Sequence, residues 1–196
     1  MFQTLKNIIS GLTRPGRVFP HELAFTLLIP LRSLILSPAE LVRRLDLAPN
    51  CRILEVGCGP GYFSPALARA VPQGELVAAD IQPEMLAAAR KRLAKHSIAN
   101  TSFHQCDGSS FPFPDRSFDR IVLVTVLGEV AERDAYLREF ARLLKPNGLL
   151  SISEAAGDPD KLEQDELALL LAPYGFIPTA QYGSRRNYTA NFKQAA

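Results

Sequence analysis

Short apolar runs alternate with amphipathic segments along most of this chain. Five segments rich in apolar or β-branched residues have the length and flanking residues of buried strands. These predicted strands cover 51–56, 75–79, 101–106, 118–126 and 149–153. In the segments before, between and after these strands, apolar positions recur three or four residues apart, which predicts helices. The predicted helices cover 37–45, a segment through 67–70, a segment from 83 through 93, 132–144 and 162–171.

This alternation predicts the fold class. Strands that alternate with helices form βαβ units, and such units build a parallel sheet with helices on both faces. A final hairpin, predicted over 175–185 and 188–192, would add an antiparallel edge strand. The sequence therefore predicts a Rossmann-like α/β fold of three layers over 37–196. Residues 1–36 contain several prolines and form a separate N-terminal extension.

Composition narrows the class of protein. The chain has 196 residues and a formal net charge of +2, which suits one domain with a short extension and gives no electrostatic case for a nucleic-acid partner. Cys51, Cys58 and Cys106 are odd in number and lack CxxC spacing. They predict neither a metal site nor a disulfide framework, and they favour a reducing compartment.

The most apolar stretch lies in the extension. It covers 23–36, about 14 residues interrupted by Pro30 and Arg32, whereas a membrane-spanning helix needs about 20. A positive flank precedes it, but no cleavage site of a signal peptide follows. We therefore expect a cytoplasmic protein, with a peripheral membrane contact as an open alternative.

A glycine-rich loop follows the first predicted strand and carries the candidate chemistry. Gly57, Gly59 and Gly61 alternate with other residues just before a helix. Glycine permits positive φ and lets a ligand approach the main chain. In an open parallel sheet, ligands bind beyond the carboxyl ends of the strands. This loop is therefore the predicted ligand site.

Three classes of ligand are candidates for this loop. A phosphate-binding P-loop needs a Gly-Lys-Ser/Thr ending, which is absent. A dinucleotide fingerprint needs its third glycine at the position of Tyr62. Glu55, two residues before Gly57, is a poor neighbour for pyrophosphate and a good one for an ammonium or sulfonium cation. The third candidate is S-adenosylmethionine (SAM), which carries a sulfonium group.

The residues 55–61, Glu-Val-Gly-Cys-Gly-Pro-Gly, resemble the first motif of the class I SAM-dependent methyltransferase family, in its small-molecule form. Asp80 ends the second strand, and 106–108 end the third. Residues 111–119 are similar to the family's LPFPDxSFD stretch, and 143–150 are similar to its LKPGG turn, with Asn147 in place of a glycine. The resemblance covers about 38–194. It implies a seven-stranded sheet of order 3-2-1-4-5-7-6 with strand 7 antiparallel.

The resemblance also implies roles for residues. Asp80 would accept hydrogen bonds from the ribose hydroxyls, Ile81 would pack on adenine, and Asp107 would accept from the adenine amino group. At Cys58 the backbone N–H, rather than the thiol, is expected to face the ligand. The full implied cofactor set is Glu55, Gly57, Cys58, Gly59, Gly61, Tyr62, Asp80, Ile81, Asp107, Gly108 and Val124. Simpler roles stay open: a tight turn for the glycines, caps for the aspartates, packing for Tyr62.

Candidate acceptor residues are fewer. His21 and Glu129 are proposed to face the substrate, against the alternatives of a surface or capping histidine and a solvated turn acid. No catalytic base is identified. Residues 124–127 lack the Asp/Asn-Pro-Pro-Tyr signature of methyltransferases that act on nucleic-acid amino groups.

The expected function is methyl transfer from SAM to a small acceptor, with S-adenosylhomocysteine (SAH) as the second product. A non-catalytic SAM- or SAH-binding protein and an NAD-dependent oxidoreductase are the alternatives. Residues 1–36 are expected to cover the site as a lid over the SAM-binding domain 37–196, and their apolar content suits a hydrophobic acceptor such as a lipid, quinone or aromatic metabolite. The alternative is that they pack on the sheet. Monomer and homodimer are both open.

Overall fold

The computed structural model of the chain describes residues 19–28 and 33–195. Within these residues seven strands form one sheet in the order β3-β2-β1-β4-β5-β7-β6. Neighbouring strands are parallel, except that β7 runs antiparallel to both β5 and β6. The expected strand order is thereby confirmed. The strands are β1 Arg52–Val56, β2 Glu75–Asp80, β3 Thr101–Gln105, β4 Phe118–Val124, β5 Leu144–Glu154, β6 Phe176–Gly183 and β7 Tyr188–Gln194.

Helices connect the strands and begin where local chemistry favours them. Ser37 Oγ accepts a hydrogen bond from Glu40 N at 3.1 Å, and Pro38 occupies the first turn, which suits its missing N–H. The helices are α1 Pro38–Arg44, α2 Ser64–Ala70, α3 Pro83–Lys95, α4 Arg133–Leu143 and α5 Gln164–Leu171, with 3₁₀ helices at His21–Leu28 and Ala172–Tyr174.

The hydrophobic core lies on both faces of the sheet. Adjacent residues of a strand point to opposite faces, so Ile53 packs in one cluster and Leu54 in the other. The cluster of Ile53 contains apolar residues of α1, α2 and α3. The cluster of Leu54 contains those of α4 and α5. The three-layer α/β architecture is therefore confirmed.

Strand β5 begins earlier than the pattern predicts. Phe118 pairs with Leu144, but Arg120 pairs with Leu149, so 145–148 bulge out of the ladder. Asn147 occupies this bulge with φ of 66°. The predicted turn is real, but the strand resumes pairing on its other side, because Leu144 is buried beside Phe118. A turn signal in the sequence does not distinguish a bulge within a strand from a strand boundary.

The described part of the extension lies against the domain. Phe19 N donates to Glu129 Oε2 at 3.3 Å, and Gln82 Nε2 donates to the carbonyl oxygen of Phe19 at 2.8 Å. Residues 1–18 and 29–32, which include much of the predicted lid, fall outside the described residues. No described helix combines the length and the apolar character that crossing a membrane requires.

Candidate cofactor and acceptor site

The glycine loop between β1 and α2 needs residues without side chains. Gly57, Gly59 and Gly61 have φ of 68°, 53° and 78°. A Cβ at Gly57 would lie 2.9 Å from Cγ1 of Val126 and closer still to Cγ2. A Cβ at Gly61 would lie 3.1 Å from the Cα of Ala89 in α3. The glycines therefore let the loop fit between α3 and the segment after β4.

Hydrogen bonds attach this loop to the end of β2. Cys58 N donates to Ala79 O at 3.0 Å, and Gly59 N donates to Asp80 Oδ2 at 2.8 Å. Gly61 N donates to Cys58 O at 3.1 Å. The expectation that the Cys58 N–H faces the ligand is wrong, because this N–H is already paired with the neighbouring strand. Because these three N–H groups are paired within the protein, the loop would contact a ligand mainly through the surface of its main chain.

Asp80 ends β2 and is only 6% exposed. Its Oδ1 accepts from Gln82 N at 2.9 Å, while Oδ2 accepts from the loop. Burial raises the pKa of this carboxyl, and the backbone N–H groups of Gln82 and Gly59 oppose the rise. Asp80 thus connects the glycine loop to the turn that follows β2. Each carboxylate oxygen can accept a second hydrogen bond, so the ribose role predicted for it is compatible with this geometry.

Glu55 places a buried carboxyl beneath the loop. It is 5% exposed, and Ser64 Oγ donates to its Oε2 at 2.6 Å. Burial raises the pKa of Glu55 to about 8, and the negative charge of Asp80 adds to the rise. The carboxyl is therefore mostly protonated at neutral pH. A cation bound beside it would favour the ionised form.

The third strand tip contributes Asp107 and Gly108. Asp107 Oδ1 accepts from the backbone N–H groups of Ser109 and Ser110, each at 2.8 Å, and Oδ2 accepts from Ser110 Oγ at 2.8 Å. These hydrogen bonds lower the pKa of the exposed Asp107 carboxyl. A Cβ at Gly108 would lie 3.8 Å from Cδ1 of Ile81, which is 41% exposed. An exposed apolar side chain beside a bare main chain suits an adenine ring.

The other predicted site residues fall into two groups. Tyr62, beside the loop, packs edge-on against Phe63 with ring centroids 4.8 Å apart, and Val124 ends β4. Glu129 is partly buried, which raises its pKa to about 7, and it accepts the hydrogen bond from Phe19. It is therefore not a freely solvated acid. His21 is exposed, and its Nε2 lies 3.7 Å from Glu22 Oε1.

A small cavity, partly open to solvent, lies at the carboxyl ends of β4 and β5. Glu154, the last residue of β5, lines it and is only 3% exposed. Its Oε1 is buried and has no hydrogen-bond partner among the described residues. The cavity is lined by Ile35, Leu36, Arg44, Phe63, Val124, Thr125, Ser153, Glu154, Ala155, Asn187 and Tyr188.

Sequence reasoning missed Glu154. The pattern places the end of the fifth strand at residue 153, one residue before this acid. The available signal was its position, since ligand sites of parallel sheets gather at strand ends. Thr125, which also lines the cavity, has φ of 54°, a strained conformation for a β-branched residue. Among the residues described, no cluster of His, Cys, Asp and Glu could hold a metal ion.

This loop and its neighbours coincide with a known domain. A family model described as "Methyltransferase domain" matches residues 53–148, which begin in β1 and end in the bulge of β5. The match includes the glycine loop, Asp80 and Asp107. The chain contains a class I SAM-dependent methyltransferase domain. The family resemblance inferred from the sequence is confirmed.

Individual relatives show how much of the chain this similarity covers. The "Ubiquinone/menaquinone biosynthesis C-methyltransferase UbiE" of Pseudomonas putida is 38% identical over 113 residues, which are 57% of this chain and 44% of that protein. The chain thus matches less than half of that relative's length. A SAM dependent methyltransferase from Aquifex aeolicus has a TM-score of 0.85 at 23% identity, over 91% of this chain and 100% of the other. The [4+2]-cyclase SpnF has a TM-score of 0.67 at 26% identity, over 74% of this chain and 57% of the other.

The residues at these strand ends are compatible with SAM, the cofactor of this methyltransferase family. Asp80 is compatible with the predicted ribose role, and Ile81 and Gly108 with the predicted adenine position. The buried carboxyl of Glu55 suits the positive charges of the methionyl part. Individual contacts to SAM remain predictions.

Proposed function

We propose that this chain is a methyltransferase that transfers a methyl group from SAM to a ring carbon of a small aromatic acceptor of the quinol class. The observation that carries the proposal is the glycine loop held between the buried carboxyls of Glu55 and Asp80, in a chain of this family. The two acids lie at the ends of adjacent strands, β1 and β2. These strand ends suit a ligand with an adenosyl group and a positive charge.

Bound SAM would supply a methyl group on a positively charged sulfur, which leaves as a neutral thioether. The chain's own residues would orient the reactants and exclude water, an effect that can contribute several kcal/mol to catalysis. Asp80 and Asp107 would position the adenosine. Leu27 lies over the loop, with Cδ1 3.6 Å from where a Cβ of Gly59 would be. This contact supports the proposal that the extension 1–36 covers the cofactor as a lid.

The acceptor class rests on two observations. The relatives named UbiE are C-methyltransferases of ubiquinone and menaquinone biosynthesis. The cavity beside β4 and β5 has apolar walls, as small-molecule sites usually do. The apolar content of residues 1–36 suits an acceptor with a hydrophobic substituent.

The test combines binding with turnover. Calorimetry with SAH and NAD side by side measures the cofactor, and transfer of labelled methyl from SAM to methylhydroquinone, kept reduced with ascorbate, measures the reaction. We expect SAH to bind, NAD not to bind, and labelled carbon to appear on the ring. NAD binding without SAH binding would refute the cofactor assignment.

A second candidate is a protein that binds SAM or SAH without methyl transfer. It is favoured by SpnF, a [4+2]-cyclase whose fold resembles that of this chain. Fold similarity alone does not establish a reaction. SAH binding without methyl transfer to methylhydroquinone or to a cell metabolite extract would favour this second candidate.

A further inference from the structure

Glu154 has an unusual environment for an acid. At the end of β5, Glu154 pairs with Tyr188 of β7. The carboxyl is almost fully buried, lines the cavity, and leaves Oε1 without a described hydrogen-bond partner. Buried polar groups in native proteins are nearly always paired, and each exception requires an explanation. A hydrogen-bond donor on a ligand in the cavity would supply the missing partner.

The rest of the cavity narrows the chemistry of that ligand. Leu36, Phe63 and Val124 provide apolar walls. Arg44 also lines the cavity; its Nη1 donates to Thr189 Oγ1 at 2.8 Å, and its Nε lies 3.1 Å from Glu40 Oε1. The positive charge of Arg44 is therefore already paired with Glu40. A neutral, flat ligand with a hydroxyl group satisfies both the walls and Glu154.

We propose that Glu154 accepts the proton of a ring hydroxyl of the acceptor during methyl transfer. This inference rests on the proposed function. It gives the chain the proton acceptor that sequence reasoning did not identify. A ring carbon of a phenol is a weak nucleophile. Loss of the hydroxyl proton increases the electron density of the ring carbon, so a general base that accepts this proton favours the attack on the methyl group.

The proton and electron balance is closed. The O–H bond breaks, its proton forms a new O–H bond with Glu154, and the electron pair stays on the acceptor oxygen. The ring carbon uses that electron density to form the bond to the methyl group, while the electrons of the methyl–sulfur bond leave with sulfur. The hydrogen on the methylated carbon then moves to the oxygen as a proton and restores the aromatic ring. Glu154 finally releases its proton to solvent.

The electrostatic surroundings of Glu154 suit a proton acceptor. Burial is the main cause that raises its pKa to about 8, close to the pH at which a general base is most effective. Asp158 and Glu129 raise the pKa further, whereas Lys161 and Arg133 lower it. Arg44 of α1 and Tyr188 of β7 line the same cavity as Glu154.

The experiment compares Glu154→Gln with Glu132→Gln, an exposed acid before α4 whose side chain makes no cap hydrogen bond there. Methyl transfer to methylhydroquinone is followed from pH 6 to pH 9.5, and SAH binding is measured by calorimetry. For Glu154→Gln we expect kcat to fall at least about 100-fold with SAH affinity unchanged. The wild type should gain about tenfold in kcat/KM per pH unit below pH 8, and the variant should lose this dependence.

Two results would overturn the inference, and they differ. If the wild type methylates the probe and Glu154→Gln matches it across the pH range, Glu154 is not the proton acceptor and the proposed function stands. If the wild type binds SAH but methylates no quinol, the proposed function fails and the role of Glu154 fails with it. Glu132→Gln should match the wild type in both measurements.

Discussion

The buried carboxyl of Glu55 predicts a specific pH dependence of stability, which Glu55→Gln removes. The amide keeps the size of the side chain and an oxygen that can accept from Ser64. The folded-state pKa of about 8 lies above the ordinary value of 4.5. The stabilisation from proton binding is therefore complete below the unfolded pKa and is lost as pH rises through 8. Glu55→Gln cannot titrate and should not show this loss.

The size of the effect follows from the two pKa values. At pH 6 the folded carboxyl is almost fully protonated, at pH 8 it is half ionised, and the unfolded carboxyl is ionised at both. With 1.36 kcal/mol for each pKa unit, the wild type should lose about 2 kcal/mol more unfolding free energy than Glu55→Gln between these pH values. Glu129 and Glu154, whose pKa values are also raised, contribute equally to both proteins, so the difference isolates Glu55.

Urea unfolding followed by circular dichroism measures this difference at pH 6, 7 and 8 without ligand. Glu132→Gln serves as the control and should remain parallel to the wild type. Saturating SAM should reduce the pH dependence of the wild type, because a bound cation favours ionised Glu55. Parallel unfolding free energies for the wild type and Glu55→Gln across the range would refute the reasoning, since they would mean that Glu55 is already ionised at pH 6.

Three further perturbations test the site. Gly57→Ala should destabilise the fold by about 1–3 kcal/mol, measured by urea unfolding, because its φ is positive and its Cβ would collide with Val126; unchanged stability would contradict the loop geometry. Asp80→Asn should weaken SAH binding about tenfold in calorimetry, since hydrogen bonds to a charged group are worth about 1.5–3 kcal/mol; unchanged affinity would exclude the ribose role. Leu27→Ala should leave SAH binding within about threefold and lower methyl transfer, because the lid would exclude water less well; full activity would contradict the lid.

The fold could be predicted largely from the sequence because its signals are local and repeated. Runs of apolar and β-branched residues that end at glycine or aspartate identify buried strands. The family resemblance supplies the order of these strands in the sheet. The predicted start of β5 is wrong, because Asn147 and its neighbours bulge out in the middle of a strand that pairs on both sides of them. Pairing on both sides of a bulge is a tertiary property that a local pattern does not contain.

The candidate site shows the same division. The residue types at Glu55 and Asp80 and their spacing from the glycines indicate a cationic ligand. The hydrogen bond from Cys58 to Ala79 was not foreseeable, because it depends on how closely two strand ends approach. Glu154 was missed because acids are usually exposed, and only the packed structure shows one buried against an apolar cavity.

The pairing of the glycine-loop amides with β2 has a consequence for ligand exchange. Since Cys58, Gly59 and Gly61 find their hydrogen-bond acceptors within the protein, a departing ligand leaves none of these three donors unsatisfied. The loop can therefore keep one conformation through successive cycles of binding and release. We expect the speed of product release to depend on the segment 19–28 instead, which hydrogen bonds at Phe19 attach to Glu129 and Gln82.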